Sequence, residues 1–496
     1  MRGVAAPVKV GKKARVAPGA RAGHHAPTMP LFAKSLRTFA AFRAGAPALF
    51  RAYAANERRD RRALEALQVE RLKSLLVHAG ETVPFWRRRF ARFGIHPEHV
   101  RSIQDLAALP LLEDKDRRDL GRELLAGAAP EPAWIELEGL PDVTSGVRSP
   151  AIWLAPLTRR ERQVDELRHV GWLGLDWRAP RAELIGRAEG GTALPPSGGT
   201  LRSALRSGVW LHPARLATEA TAFAARAART QAELLVGPPS ALLALAALTG
   251  GAASFRPRAI QSFGECLGEE RRGRLEEAFA APVHDAWRTR ELGEAAHECQ
   301  ARNGLHVTME RVLIEIVRDG RPVRDGEEGE IVATALDGST QPLLRWRTGD
   351  IGCRIPETSC PCGRTSERIL VTDGRATALV TSPAGMRIHG DWFEWLFGSI
   401  TGVADWRVIQ DRSGTVALEV VCAEGWTDAH ATALRSTLLG VDPGFAVVVR
   451  RTGSLPVSPD GRRHAVVSAA PLAWDSPAPA HASSPALAPV LAGRPR

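Results

Sequence analysis

Leu64, Leu67, Leu72, Leu75, Leu76 and Ala79 recur at helical spacing between Arg58 and Ala79, which predicts an amphipathic helix ended by Gly80. Val83-Pro84-Phe85-Trp86 opens a second, basic helix. Helical patterning continues to about residue 130, past Leu109-Pro110 and Lys115. Asp142 to Pro150 reads as a polar loop, and the apolar run Ala151-Ile152-Trp153-Leu154 after it as a strand. Residues 186–208, rich in Gly, Ser, Thr and Arg, read as a mobile loop.

Residues 234–255 carry no charge, but Gly237-Pro238-Pro239 and Gly250-Gly251 interrupt them. The helix left between is too short to span a bilayer. Strand-like and helical segments then alternate through Ala259–Phe263, Arg271–Phe279 and Val283-His284-Asp285, the pattern of an α/β sheet. Val312–Val317 and Glu330–Leu336, around Asp319-Gly320 and Asp325-Gly326, predict hairpin strands. After Gly374-Arg375, strands near Trp406–Gln410, Val416–Cys422 and Phe445–Arg451 surround a helix at about Asp428–Leu439. The expected fold class is therefore α/β. A large N-terminal domain over 58–373, with β-sheets flanked by helices, is followed by a small α+β domain over 374–470. A basic leader (1–57) and a Pro/Ala/Ser tail (471–496) flank them as disordered segments.

Charge changes this picture in one respect. The net charge is +11, yet ten of the 66 basic residues precede Glu57, the first acid, which leaves 56 against 55 acidic residues in the body. The basic character belongs to the leader, so no nucleic-acid partner is expected. Translation starting at Met29, a floppy tail and a transit-type segment are the readings of residues 1–28; a basic helix over 30–55 could touch a membrane surface. Six unevenly spaced cysteines suit a reducing compartment, and a cytoplasmic location is expected. Only six lysines occur, the last at Lys115, beside 60 arginines.

Leu344-Arg345-Trp346-Arg347-Thr348-Gly349-Asp350 is the densest candidate for chemistry. Arginine can face phosphate, glycine lets backbone approach closely, and aspartate accepts both ribose hydroxyls. The plain alternative is a turn capped by its aspartate. Cys360 and Cys362, with Cys299 and His306, supply three thiolates and an imidazole, a set suited to structural zinc. Alternatively, Cys299 is a small core residue and His306 a core or surface histidine.

The motifs also fall in a telling order. Val83-Pro84-Phe85-Trp86, Leu109-Pro110 with Lys115, Thr144-Ser145-Gly146, Gly237-Pro238-Pro239-Ser240, Gly264-Glu265, Trp287 to Glu291, Glu298-Cys299, Gly304-Leu305-His306-Val307, Gly329-Glu330, Arg345 to Asp350, Cys360 to Arg364 and Gly374-Arg375 follow one another. Over roughly residues 58–470 the chain resembles the phenylacetate–coenzyme A ligase branch of the adenylate-forming superfamily, and most nearly its capsular-polysaccharide-associated relatives. The resemblance implies a mobile small domain and a cleft that binds ATP, Mg²⁺ and a small-molecule carboxylate, with coenzyme A as candidate thiol. It implies Asp350 as ribose anchor, Gly264 and Glu265 beside the adenine, Trp287 as a further cofactor-binding residue, and Glu291 facing magnesium. Arg368 and Arg375 are implied as basic residues after the ribose site, and Cys299, His306, Cys360 and Cys362 as zinc ligands.

Three departures stand against the family pattern. Its phosphate loop, Thr-Ser-Gly-Thr-Thr-Gly-x-Pro, is here the shorter Thr144-Ser145-Gly146-Val147-Arg148-Ser149-Pro150. Its aromatic-Gly-x-Thr-Glu motif is Trp287-Arg288-Thr289-Arg290-Glu291, which sets two cations where the adenylate would sit. Its late Gly-Lys is Gly461-Arg462, which keeps the charge but offers a planar fork in place of an ammonium. Two functions are thus expected in competition: a carboxylate-activating ligase, and a degenerate homologue that binds nucleotide or a partner in a polysaccharide or secondary-metabolite pathway.

Overall fold

The Asp60 carboxylate accepts from the N–H groups of Arg62 and Ala63 and so starts the first long helix, Arg61–Thr82. The structure, a computed structural model, describes residues 48–127, 135–137, 151–185, 208–375, 379–388, 390–398, 400–456 and 465–470. The helix buries Leu64, Leu72, Leu75, Leu76 and Ala79 as the pattern requires, together with Gln68, whose amide donates to the Val312 carbonyl at 2.9 Å. It does not stop at Gly80. That glycine lies within the helix because a side chain there would meet the Phe90 ring at 3.3 Å. Space, not termination, accounts for it. The next helix, Pro84–Phe93, begins on a proline whose missing N–H costs nothing at that position.

Among the described residues, twelve strands form one sheet with a parallel and an antiparallel half. Gly208–Leu211, Arg181–Leu184, Leu234–Gly237, Ala259–Phe263 and Val283–Thr289 run parallel in that spatial order. Gly293–Glu298, Leu305–Val307, Arg368–Arg375, Trp346–Arg354, Glu328–Ala335, Val312–Arg318 and Arg321–Pro322 continue it antiparallel. Helices Leu216–Arg229, Pro239–Thr249 and Glu269–Phe279 bury one face of the parallel half around Phe223, Leu242, Leu275 and Ile260. The uncharged 234–255 segment is thus a strand and an eleven-residue helix, and no described helix is long and apolar enough to cross a membrane. The two N-terminal helices cover the antiparallel half, where Trp86, Trp346, Leu305 and Val312 share a core.

Helix Pro156–Trp172 lies against the parallel strands and is held largely by charge. Asp165 is wholly buried between two arginines: Arg168 Nη2 donates to it at 2.6 Å and Arg311 Nε at 2.8 Å. Arg311 also reaches Asp337, which in turn accepts from Arg162. Burial works against the Asp165 charge, but the two arginines outweigh it and hold the carboxyl below its ordinary range. Residues 48–56 are helical too, and Tyr53 is buried under the Arg168 guanidinium. The described end of the basic leader therefore packs on protein; residues 1–47 lie outside the described set.

The C-terminal residues form a second sheet in the order Val447–Thr452, Val416–Cys422, Val403–Gln410, Val466–Ser468. Helices Gly390–Gly398 and Asp428–Val441 flank it, with Phe393, Phe397, Leu418 and Leu438 in its core. Asp165→Ala should destabilise the protein by about 3–5 kcal/mol, because it leaves two buried guanidinium groups short of a counter-charge. Removing the exposed Lys115–Asp119 pair should leave stability nearly unchanged. Urea denaturation of Asp165→Ala and Asp119→Ala checks the contrast.

Candidate functional site

Parallel strands leave a crevice at their carboxyl ends, where ligands bind in open α/β sheets. Here those ends are Gly237, Phe263 and Thr289. The turn after Gly237 is clasped to the turn after Phe263, since Glu265 accepts from Ser240 N at 3.1 Å and Ser240 Oγ at 2.8 Å. Across the crevice, Trp287 Nε1 donates to Asp350 Oδ2 at 2.8 Å. Asp350 follows Gly349, whose φ of 81° needs a residue without a Cβ, and its N–H donates to Thr348 Oγ1. Arg375 stands opposite Asp350 in the strand register, beside a bulge at Ile351/Gly352.

A third wall comes from the N-terminal segment. Leu112 N donates to the Arg345 carbonyl and Arg347 N to the Leu112 carbonyl, which stitches this segment to the strand carrying Asp350. Helix Asp114–Leu120 follows, and its Arg117 donates to Glu291 Oε1 at 3.1 Å while lying over the Trp346 ring. On the face toward helix Pro156–Trp172, Arg288 pairs with Glu166 at 2.7 Å and covers the Phe263 ring. Deeper in, His169 meets Glu294 at 3.0 Å, Gln261 donates to the same carboxylate, and His297 stacks on His169. Burial opposes the Glu294 charge, but the hydrogen bond with His169 and the Arg288 charge hold its carboxyl well below the usual range. Burial drives His297 down to about 3. Asp285 goes the other way: burial, then the neighbouring Glu298, push it up to about 7.

The cysteine cluster lies at the far end of the same strands. Strand Arg368–Arg375 has Asp350 beside one terminus and His306 beside the other, so the two sites stand roughly 23 Å apart at ~3.3 Å per residue. Cys299, His306, Cys360 and Cys362 bring their donor atoms within 4.8 Å of one another. Cys299 and Cys360 sulfurs are 3.7 Å apart, and Cys362 Sγ is 3.4 Å from His306 Nε2. Two thiolates ~2.3 Å from one tetrahedral zinc would be about 3.8 Å apart, so the donor set fits that ion. Ser366 Oγ lies 3.1 Å from His306 Nδ1 and leaves Nε2 facing the sulfurs. The hydrogen bond shared with Cys299 lowers the Cys360 thiol against its burial.

No family model matches the chain. It is 27% identical over 335 residues to a phenylacetate–coenzyme A ligase of Escherichia coli, covering 63% of this chain and 71% of that one. The ligase of the same name from Thermus thermophilus is 27% identical over 384 residues, 72% and 80% of the two chains. Among solved structures, 2-hydroxyisobutyryl-CoA ligase in the postadenylation state, in complex with 2-HIB-AMP, superposes with a TM-score of 0.66. That match has 19% identity and covers 83% of this chain and 91% of that one. The chain is thus similar in sequence to phenylacetate–coenzyme A ligases, and it shares the fold of an acyl-CoA ligase.

Against this similarity, the expected site residues divide. Gly264, Glu265, Trp287, Glu291 and Asp350 converge on the crevice. Arg368 does not: its guanidinium donates to the carbonyls of Asn303 and Thr358, at the cysteine end of its strand. Nor do the arginines of the Leu344–Asp350 stretch face a phosphate. Arg345, left-handed at φ 47°, is buried against Glu315 and three backbone carbonyls, and Arg347 is clamped by Glu330. Arg288 bends to Glu166 and packs over Phe263. Nothing is described of the Arg375 side chain, and Thr144, Ser145, Gly146 and Arg462 lie outside the described residues. Sequence reasoning missed Arg117, Glu166, Gln261, His169 and Glu294. Arg117 sits in Asp-Lys-Asp-Arg-Arg-Asp, which resembles any solvated charged face, and only the Leu112 stitch turns it inward.

Asp285 sets a pH dependence. Its folded pKa is raised, so the stability it contributes is complete below about pH 4 and is lost as pH rises through 7. Asp285→Asn should match the wild type at pH 4 and exceed it at pH 8, on the order of 1–2 kcal/mol. Thermal melts at the two pH values check this; a constant difference between the proteins would refute it.

Proposed function

We propose that the chain is an ATP-dependent ligase that activates a carboxylate as its acyl-adenylate and transfers the acyl group to a thiol, with coenzyme A the candidate acceptor. The observation that carries this reading is the Trp287–Asp350 hydrogen bond across the strand ends, beside the Ser240–Glu265 clasp. It fixes an acceptor carboxylate at the strand ends, where ribose hydroxyls would be taken up. Glu291 would hold Mg²⁺ through the oxygen that Arg117 leaves free, and the ion would neutralise charge developing on the phosphates. Arg375 and Arg462 would supply further cations, the latter from a small domain that begins near Gly374. Relatives named phenylacetate–coenzyme A ligase support an aryl carboxylate as substrate.

A second reading has observations of its own. The shortened phosphate loop and Arg462 in place of lysine favour a homologue that binds nucleotide without turning it over. Calorimetric titration with ATP and Mg²⁺, then pyrophosphate release over a panel of aryl and acyl carboxylates, separates the two. The ligase reading expects both binding and release; binding alone across the panel would support the second. Asp350→Ala should weaken ATP binding about tenfold or more, the equivalent of losing a charge-assisted hydrogen-bond pair. Unchanged affinity would remove the ribose role.

We also infer a structural zinc at Cys299, His306, Cys360 and Cys362. Four protein donors leave no open position, and the distance from Asp350 keeps the ion out of the reaction. Metal analysis of protein purified under reducing conditions should find about one zinc per chain. Cys360→Ser should lose it and melt at a lower temperature. Metal-free wild type with the same melting point would sink the assignment.

A further inference from the structure

Arg117 carries an arrangement that the ligase reading does not use. Its side chain is fully buried, and its Nη1 spends both hydrogens on carboxylates, donating to Asp114 Oδ1 at 2.7 Å and to Glu291 Oε1 at 3.1 Å. Trp346 packs on the guanidinium face, with 5.2 Å from the central carbon to the ring centroid, and donates its own N–H to the same Asp114 oxygen. Plane and rotation are therefore fixed. No acceptor meets Nε or Nη2 among the described residues.

Those two nitrogens form the side-on edge of the guanidinium. That is the edge whose parallel N–H groups match the two oxygens of a carboxylate or phosphate. A buried cationic donor without a partner is costly, and native structures keep few of them. Arg345 and Arg311, buried as deeply, have their donors taken up by carboxylates and backbone carbonyls. Arg117 differs from them in this edge, and it does so while holding the carboxylate that follows Trp287 in the crevice wall.

We propose that the side-on edge of Arg117 receives an oxyanion of the bound reactants, either a phosphate oxygen of the nucleotide or the carboxylate of the acyl substrate. The inference rests on the ligase reading for the identity of those reactants. Arg117 then acts twice: one arm orients Glu291, and the other supplies cationic hydrogen bonds where the shortened phosphate loop and the missing lysine leave the site poor in them. The arrangement also explains how Glu291 stays in a mostly buried position before any metal arrives.

The test is calorimetric titration of wild type, Arg117→Gln and Arg117→Lys with Mg²⁺·ATP, inorganic pyrophosphate and phenylacetate, each alone. Loss of the fork should weaken binding of the anion that uses it by about 10- to 100-fold, and lysine, which keeps the charge without the fork, should restore only part. Weakening confined to ATP and pyrophosphate assigns the edge to phosphate; weakening confined to phenylacetate assigns it to the carboxylate. Should Arg117→Gln misfold because Glu291 is left unpaired, Arg117→Met combined with Glu291→Gln removes both charges and is titrated with pyrophosphate and phenylacetate. Folded variants that bind all these anions like the wild type overturn the proposal and leave the ligase reading intact. A wild type that binds none of them at millimolar concentration overturns both. Fork-dependent binding without pyrophosphate release keeps the proposal and removes the ligase reading.

Discussion

Asp165 is the point on which the arrangement of this protein turns. A carboxylate with no solvent contact is tolerable only while Arg168 and Arg311 both hold it. Those arginines come from different parts of the chain, and Arg311 passes the constraint to Asp337, Arg162 and the Glu291 backbone. Helix Pro156–Trp172 is fixed by these pairs more than by its modest apolar contacts. Its Glu166 and His169 therefore reach the crevice at set positions, and Arg288 and Glu294 find their partners there.

Arginine recurs as the structural cation, and its chemistry explains why. The guanidinium stays charged when buried, and five donors in a plane can serve several carbonyls and carboxylates at once. Arg345 ties three segments together through Glu315 and the carbonyls of Ala107, Leu109 and Gly320. Lysine could neither span those acceptors nor hold its charge as readily in such surroundings. The same property makes residues near a binding motif poor evidence of ligand contact in this chain. Arg345, Arg347 and Arg368 all lie within or beside the motifs expected to bind nucleotide and are spent on the fold.

The crevice and the cysteine cluster share strands but stand at opposite ends of them. Trp287 and Asp350 meet at one end of the long sheet, whereas Cys299, His306, Cys360 and Cys362 meet at the other. Edge contacts from Trp172 to His306 and the Arg364 guanidinium over the same indole join the cluster to helix Pro156–Trp172. A metal there would stiffen the end of the sheet that the crevice strands start from, without touching reactants.

By itself the sequence determined the alternation of strands and helices, the break at Gly237-Pro238-Pro239, and the small C-terminal unit with its strand Val416–Cys422. Period and turn chemistry are local, and a local signal survives without the fold. It also singled out the residues whose chemistry suits a site: Asp350, Glu291 and Trp287 on one hand, the cysteines and His306 on the other. Tertiary structure alone decided that Gly80 makes room for Phe90 and does not end a helix, and that Arg368 serves backbone carbonyls. It alone turned Arg117, in a stretch patterned like a solvated face, onto Glu291. The reason is physical: a charged side chain carries no period that tells burial from exposure, and its partner is chosen by strands and helices that come together from distant parts of the chain.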